Sequence, residues 1–216
     1  MQLNITNGLY FNEYIKKKIE GVFVPFNEAL MDGELLFPLF HQDFMEQRIA
    51  VHNVTKEDYL NKMQFFFEPE TIKKYSVIRL WFGLDAFCQI NMLALLAYLE
   101  QIEYKGKIFY QAIDDVSFET LETKAELTLG TFISSYQNVM RGKSISSEYD
   151  FINRGIDGYL YVKNRDNRFY RYIKENLGKL TETQLIIDVL KDSAEFGLSD
   201  MYIQKMIEEV LNYKKG

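Results

Sequence analysis

The chain of 216 residues carries a formal charge of -6, with 47% apolar and 26% charged residues, a balance that excludes a disordered chain and fits an ordinary globular protein. The acidity argues against broad binding to nucleic acid or anionic lipid. A single cysteine, Cys88, excludes an intramolecular disulfide, and with His41 and His52 as the only histidines no ligand set stands at zinc spacing.

The opening "MQLNITNGLYFNEY" has no basic start followed by an apolar signal core, and the most apolar helical run, near Met92 to Leu99, is too short to span a bilayer. The expectation is a cytoplasmic protein with no membrane contact. "QLNITN" predicts a strand, "GLYFNEYIKKKIE" an amphipathic helix with its lysines toward the favoured C-terminal end, and "GVFVPF" a second strand. Helices are predicted over 37–51 and 55–67, the second capped by Thr55. "SVIRLWF" then predicts a third strand, 87–104 a long helix, and "KIFYQAI" a fourth strand.

Strands separated by helices predict an α/β fold, a mainly parallel Rossmann-like sheet flanked by helices, because parallel neighbours need long crossovers. Asn4 and Thr6 alternate with Leu3 and Ile5, which predicts a first strand covered on one face only. After Asp115 the pattern changes. Segments 120–136 and 146–177 read as helical, with "GYLYVK" the remaining strand candidate. In the tail, Thr181 and Gln184 fit a capping box, Gly197 a helix stop and Ser199 the cap of a last helix running toward Tyr213. The expected organisation is an α/β domain over 1–118 and a helical region over 119–216 ending in a helical hairpin.

Open parallel sheets bind ligands beyond the carboxyl ends of their strands. That rule collects Asn7 and Gly8 after the first strand, Asn27, Glu28 and Asp32 after the second, Asp85 and Gln89 after the third, and Asp114 with Asp115 after the fourth. Carboxylates mixed with amides suit a hard cation, ribose-like hydroxyls or acid–base chemistry. The competing reading is local: Asp and Asn favour caps and turns wherever strands end. Gly8 alone does not make a dinucleotide fingerprint or a lysine-bearing phosphate loop, so neither NAD nor a standard ATP site is expected. No cofactor is assigned, and metal ligation is not expected.

Cys88 falls in a helix's first turn, where the dipole lowers a thiol pKa, against the ordinary behaviour of cysteine as a small buried hydrophobe. Arg48 and His52 share a helix face that could meet an anion or solvent. Arg165, Arg168 and Arg171, interleaved with aromatics, and the helix-turn-helix-like "DSAEFGLSDMYIQKMI" offer a nucleic-acid reading, opposed by the acids after Thr181. The function expected is binding of a small polar ligand, a nucleotide or sugar derivative, at the carboxyl edge. The alternative is a regulatory or nucleic-acid-associated protein acting through its tail. Catalysis and a homo-oligomer are left open.

The stretches "LNITNG", "LWFGLDAFCQINMLALLAYL" and "LTETQLIIDVLKDSAEFGLSD" together resemble the bacterial domain-of-unknown-function 1835 family over most of the chain. The resemblance implies a strand-opening Asn-Gly, here Asn7 and Gly8, a Trp-Phe segment, here Trp81 and Phe82, followed by Asp85 and Gln89, and a helical companion domain. Members often carry a charged residue or a histidine just before the aspartate, where this chain has Gly83 and Leu84. The family implies no reaction.

Overall fold

A computed structural model describes the backbone of residues 1–213 and the side chains through 212. In chain order the elements are β1 (Gln2–Asn7), α1 (Leu9–Ile15), β2 (Val22–Phe26), α2 (Gln42–His52), α3 (Lys56–Met63), α4 (Pro69–Ile72), β3 (Val77–Phe82), α5 (Ala86–Gln101), β4 (Lys107–Ile113) and β5 (Thr120–Leu127). Helices α6 (Phe132–Met140), α7 (Asp150–Lys163), α8 (Arg168–Asn176), α9 (Glu182–Asp192) and α10 (Asp200–Tyr213) follow. The strands make one sheet in the order β2-β1-β3-β4-β5, parallel from β2 to β4, with β5 antiparallel at the edge. This is the expected α/β architecture. The chain leaves β1 for β2 on one side and later returns to β3 on the other, so the connections diverge at the carboxyl ends of β1 and β3.

One face of the sheet, carrying Leu3, Ile5, Ile78, Leu80 and Phe82, packs on α5, which is itself buried and flanked by α6 and α7. Each fully buried Leu, Ile or Phe there contributes about 1.5–3 kcal/mol. The opposite face is covered by α1, whose Phe11 and Ile15 form a second cluster with Trp81 and Ile113. The expectation that β1 is covered on one face only is corrected by this cluster. Asn4 and Thr6 are buried and satisfied: Trp81 Nε1 donates to Asn4 Oδ1 at 3.1 Å, and Asn12 Nδ2 donates to Thr6 Oγ1 at 3.0 Å. The polar alternation of β1 therefore marks an internal hydrogen-bonded seam.

Other expectations also give way. Residues 120–127 form strand β5 instead of a helix, with side chains alternating between solvent and the sheet's packed face. The helical reading of 146–177 splits into α7 and α8 at a turn where Asn167 caps α8 through the Phe169 and Tyr170 amides. "GYLYVK" lies inside α7. Helix α1 ends at Ile15, and α2 starts at Gln42, later than the predicted 37.

Thr55 does cap α3, accepting from the Asp58 amide at 3.1 Å. The tail follows its reading in part. Thr181 accepts from the Gln184 amide and Ser199 Oγ accepts from the Tyr202 amide, but the Gln184 side chain turns to Asp188 instead of closing the capping box, and α9 stops at Asp192, so that Gly197, at φ 64°, ends a separate 3-10 turn over Ala194–Phe196. Leu185, Val189, Ile203, Met206, Ile207 and Val210 are buried, with Ile186 and Leu190 packed beside them on a core that runs continuously from Leu3 to Val210. No helix among the described residues is long and apolar enough to cross a membrane.

Candidate functional site

At the carboxyl ends of β1 and β3 the structure opens a crevice of about 780 Å³. Its polar wall is Asn7, Asn27, Asp85, Cys88 and Asp115, and its apolar wall includes Tyr10, Phe11, Phe87 and Phe118. Lys62 of α3 and the tail turn Gly197-Leu198-Ser199 complete the rim. A smaller cavity of about 320 Å³ borders α8 and α9. Its polar groups are already paired, Arg168 with Asp192 and Tyr172 with Asp188, which leaves it less to offer a ligand.

Local chemistry explains how the polar wall is built. Asp85 ends the β3 turn as the N-cap of α5, its Oδ1 accepting from the Cys88 amide at 2.9 Å. Cys88 Sγ receives Asn7 Nδ2 at 2.9 Å and donates to Asp115 Oδ2 at 3.1 Å. Gly83 allows the convergence: a Cβ there would lie 2.3 Å from Asp115 Oδ2 and 2.7 Å from Asp85 Oδ2. Gly197 allows the tail to close in, since its Cβ would lie 2.2 Å from Asp85 Oδ1.

The electrostatics follow from that crowding. Burial of its carboxyl, then the hydrogen bond and negative charge of Asp85, push Asp115 up to about 7, against the lowering effect of the Cys88 hydrogen bond. Although Asp115 as a residue is exposed, its Oδ2 faces inward onto Cys88 and Gly83. Burial, followed by the two acids, pushes the Cys88 thiol well above its usual range. The dipole argument for a reactive thiol is thereby overturned, because desolvation and two negative neighbours outweigh one helix terminus. Asp85, Cys88 and Asp115 bring one donor atom each within 4.8 Å of one another, a spacing a cation would accept. With its proton in place the thiol directs it at Asp115, so the same three groups form a proton-sharing cluster when no cation is held.

Of the residues collected from the sequence, Asn7, Gly8, Asn27, Glu28 and Asp85 all border this crevice. Gly8 has its amide donated to the Phe26 carbonyl at 3.0 Å, so it offers no N–H to an anion. Glu28 borders the space, but its side chain is fully buried and held by Arg48 Nε at 2.7 Å and the Tyr59 hydroxyl at 2.7 Å. Arg48 in turn donates to the carbonyls of Asp32 and Ala29, and this corrects both readings of Arg48 as a solvated or anion-binding side chain.

Gln89 is buried beneath α7, where its side chain fills the space left by Gly155 and its Nε2 donates to the Gly83 carbonyl at 2.6 Å. It is a support of the β3 turn and does not line the crevice. Asp32 is drawn away to Lys205 at 2.9 Å, and Asp114 spends its carboxylate on the Val116 and Ser117 amides of its own turn. Its neighbour Asp115 takes the place at the wall.

Sequence reasoning missed Asn91, a buried amide in the apolar run of α5. Its Nδ2 donates to Asn7 Oδ1 and to the Glu28 carbonyl, and its Oδ1 accepts from the Leu30 amide. One side chain thus ties β1, the β2 loop and α5 together behind the crevice. An amide inside "QINMLALL" was the available signal. In the tail, Arg165 pairs with Glu209, Arg168 with Asp192 and Glu195, and Lys205 with Asp32. No protein-family model matches the chain, and no match was found among the curated proteins or the solved structures.

Proposed function

We propose that the protein is a cytoplasmic binder of a small polar ligand, a nucleotide or sugar derivative, in the crevice at the carboxyl edge of its sheet. The observation that carries this reading is the coincidence of a roomy crevice with the point where strand order reverses between β1 and β3. Ligands in open α/β sheets gather at such points. Hydroxyl groups would find acceptors in Asp85 and Asp115 and a donor or acceptor in Asn27, while a flat ring would lie against Tyr10, Phe87 or Phe118. An acid pair holding a proton near neutrality also supplies the means for proton transfer. Membership of the domain-of-unknown-function 1835 family belongs to the same proposal, on Asn7, Gly8, Trp81, Phe82, Asp85 and Gln89.

A thermal-shift screen of nucleosides, nucleotides, sugars and sugar phosphates tests the reading. A true ligand at about a hundredfold its Kd stabilises by roughly 2.7 kcal/mol, and Phe87→Ala should abolish the shift. A shift that survives Phe87→Ala and Tyr10→Ala, or a screen with no shift at all, contradicts it.

A further inference from the structure

The crevice has one basic side. Among the described residues Lys62 of α3 is the one base on its wall, and no hydrogen bond or ion pair engages it. Lys62 and Asn27 also border a second cavity of about 210 Å³, whose further walls include His52, Asp58 and Tyr59. The two spaces therefore adjoin through Asn27 and Lys62. Asn27 follows β2, half-buried, with a side-chain amide that makes no hydrogen bond among the described residues. His52 ends α2 with Nε2 at 3.0 Å from Arg48 Nη2, which leaves Nδ1 as the ring nitrogen without a protein partner. Asp58, the acid on that wall, accepts the Thr55 hydroxyl at 2.7 Å, and the Tyr59 hydroxyl is given to Glu28.

The places where an open α/β sheet usually receives an anion are closed here. The Gly8 amide goes to the Phe26 carbonyl, the Cys88 amide at the head of α5 goes to Asp85, and Asp85 and Asp115 set two carboxyls where a phosphate would otherwise lie. An anion entering the crevice is thus turned away from the β3 side and toward Lys62. We propose that the cavity walled by Asn27, His52 and Lys62 seats a phosphate, so that the ligand is a phosphate monoester, a sugar phosphate or a nucleoside monophosphate, with its hydroxyls toward Asp85 and Asp115. Nitrogen groups from three separate elements suit the three terminal oxygens of a tetrahedral monoester, whereas a planar carboxylate offers two. The cavity is several times the roughly 30 Å³ share of one water, which leaves room for the phosphate group. This inference rests on the ligand reading and narrows it to the phosphorylated members of the class.

Inorganic phosphate tests the seat by itself, titrated at constant ionic strength into the isotope-labelled protein. Saturable backbone amide shifts are expected at Asn27, His52 and Lys62, with the affinity about tenfold weaker in Lys62→Met and in Asn27→Ala. Both side chains are unengaged, so neither variant removes a contact that holds the fold. Absence of saturable shifts at these residues, or unchanged affinity in both variants, overturns the seat. Calorimetry with ribose 5-phosphate and AMP, each beside ribose or adenosine, then reads the ligand class. Each ester should bind at least about tenfold tighter than its dephosphorylated counterpart, and the tighter of the two esters tells a sugar phosphate from a nucleotide. Esters and counterparts bound equally would overturn the inference and leave the ligand reading standing. Phosphate bound at Lys62 with no ester or counterpart bound in the crevice would sink the ligand reading and leave the seat.

Discussion

Replacing Arg48 by Met isolates the most heavily buried charge in the protein. Arg48 and Glu28 are fully buried and paired at 2.7 Å, and the guanidinium also satisfies the Asp32 carbonyl at 2.6 Å and the Ala29 carbonyl at 2.8 Å. Burial alone would push the Glu28 carboxyl up, but the His52 hydrogen bond, the Arg48 charge and the Tyr59 hydrogen bond together hold it below its ordinary value. A lowered folded value means stability that is present above the unfolded value of 4.5 and lost as pH falls through the folded one. Removing the guanidinium leaves the buried Glu28 carboxylate with only the Tyr59 hydroxyl and the His52 ring as side-chain partners. Such a break costs about 3–5 kcal/mol, a large part of the roughly 5–15 kcal/mol that holds a domain. Urea denaturation followed by circular dichroism should show the midpoint falling by about 1.5–2.5 M at a slope near 2 kcal/mol/M. The pair Arg48→Met with Glu28→Leu should recover most of the loss, since the uncompensated charge is gone. A midpoint for Arg48→Met within about 0.5 M of wild type would refute the assignment of Glu28 as a buried, ionised partner.

Asp115→Asn should be more stable than wild type at alkaline pH and equal to it in acid. Because the folded value is raised from 3.8 to about 7, wild type loses stability as pH rises through that window, when the unfolded chain releases its proton first. Discounted for the exposure of the residue, the advantage is about 1–2 kcal/mol above neutrality, read by thermal melts across pH. Gly197→Ala should lower stability by about 1–3 kcal/mol, because its φ of 64° is left-handed and a Cβ would strike Asp85. Native Cys88 should react with a thiol-specific disulfide reagent at least about a hundredfold more slowly than in urea, given its burial and raised pKa; fast native labelling would contradict the proton-sharing cluster.

The sheet was legible because β2, β3 and β4 are short, mostly apolar runs and β1 alternates Leu3 and Ile5 with polar residues, with glycine, asparagine or aspartate at their ends, and the helices between them force parallel pairing. Strand β5 was not, since Thr-Leu-Glu-Thr-Lys-Ala-Glu-Leu is built largely from helix formers, and only its pairing with β4 makes it extended. "GYLYVK" failed the other way: residues suited to strands are helical because α7 packs against α5, with Gly155 and Gly158 giving the close approach.

At the site, the strand-end rule found Asn7, Asn27 and Asp85. It could not choose between Asp114 and Asp115, because the choice depends on which carboxylate the turn consumes. Asp32 was lost to Lys205, a partner from the far end of the chain. The tail turn at Gly197 joined the crevice for the same reason: long-range packing leaves no local trace in the sequence.

The central claim is that a small polar ligand occupies the crevice between β1 and β3. Backbone amide chemical-shift mapping with a hit from the nucleotide and sugar screen tests it most directly. The account predicts saturable shifts at Gly8, Asn27, Phe87, Asp115 and Leu198, which surround the crevice from five separate segments. Shifts confined to Phe169, Tyr172 and Val189, around the smaller cavity bordered by α8 and α9, would contradict it.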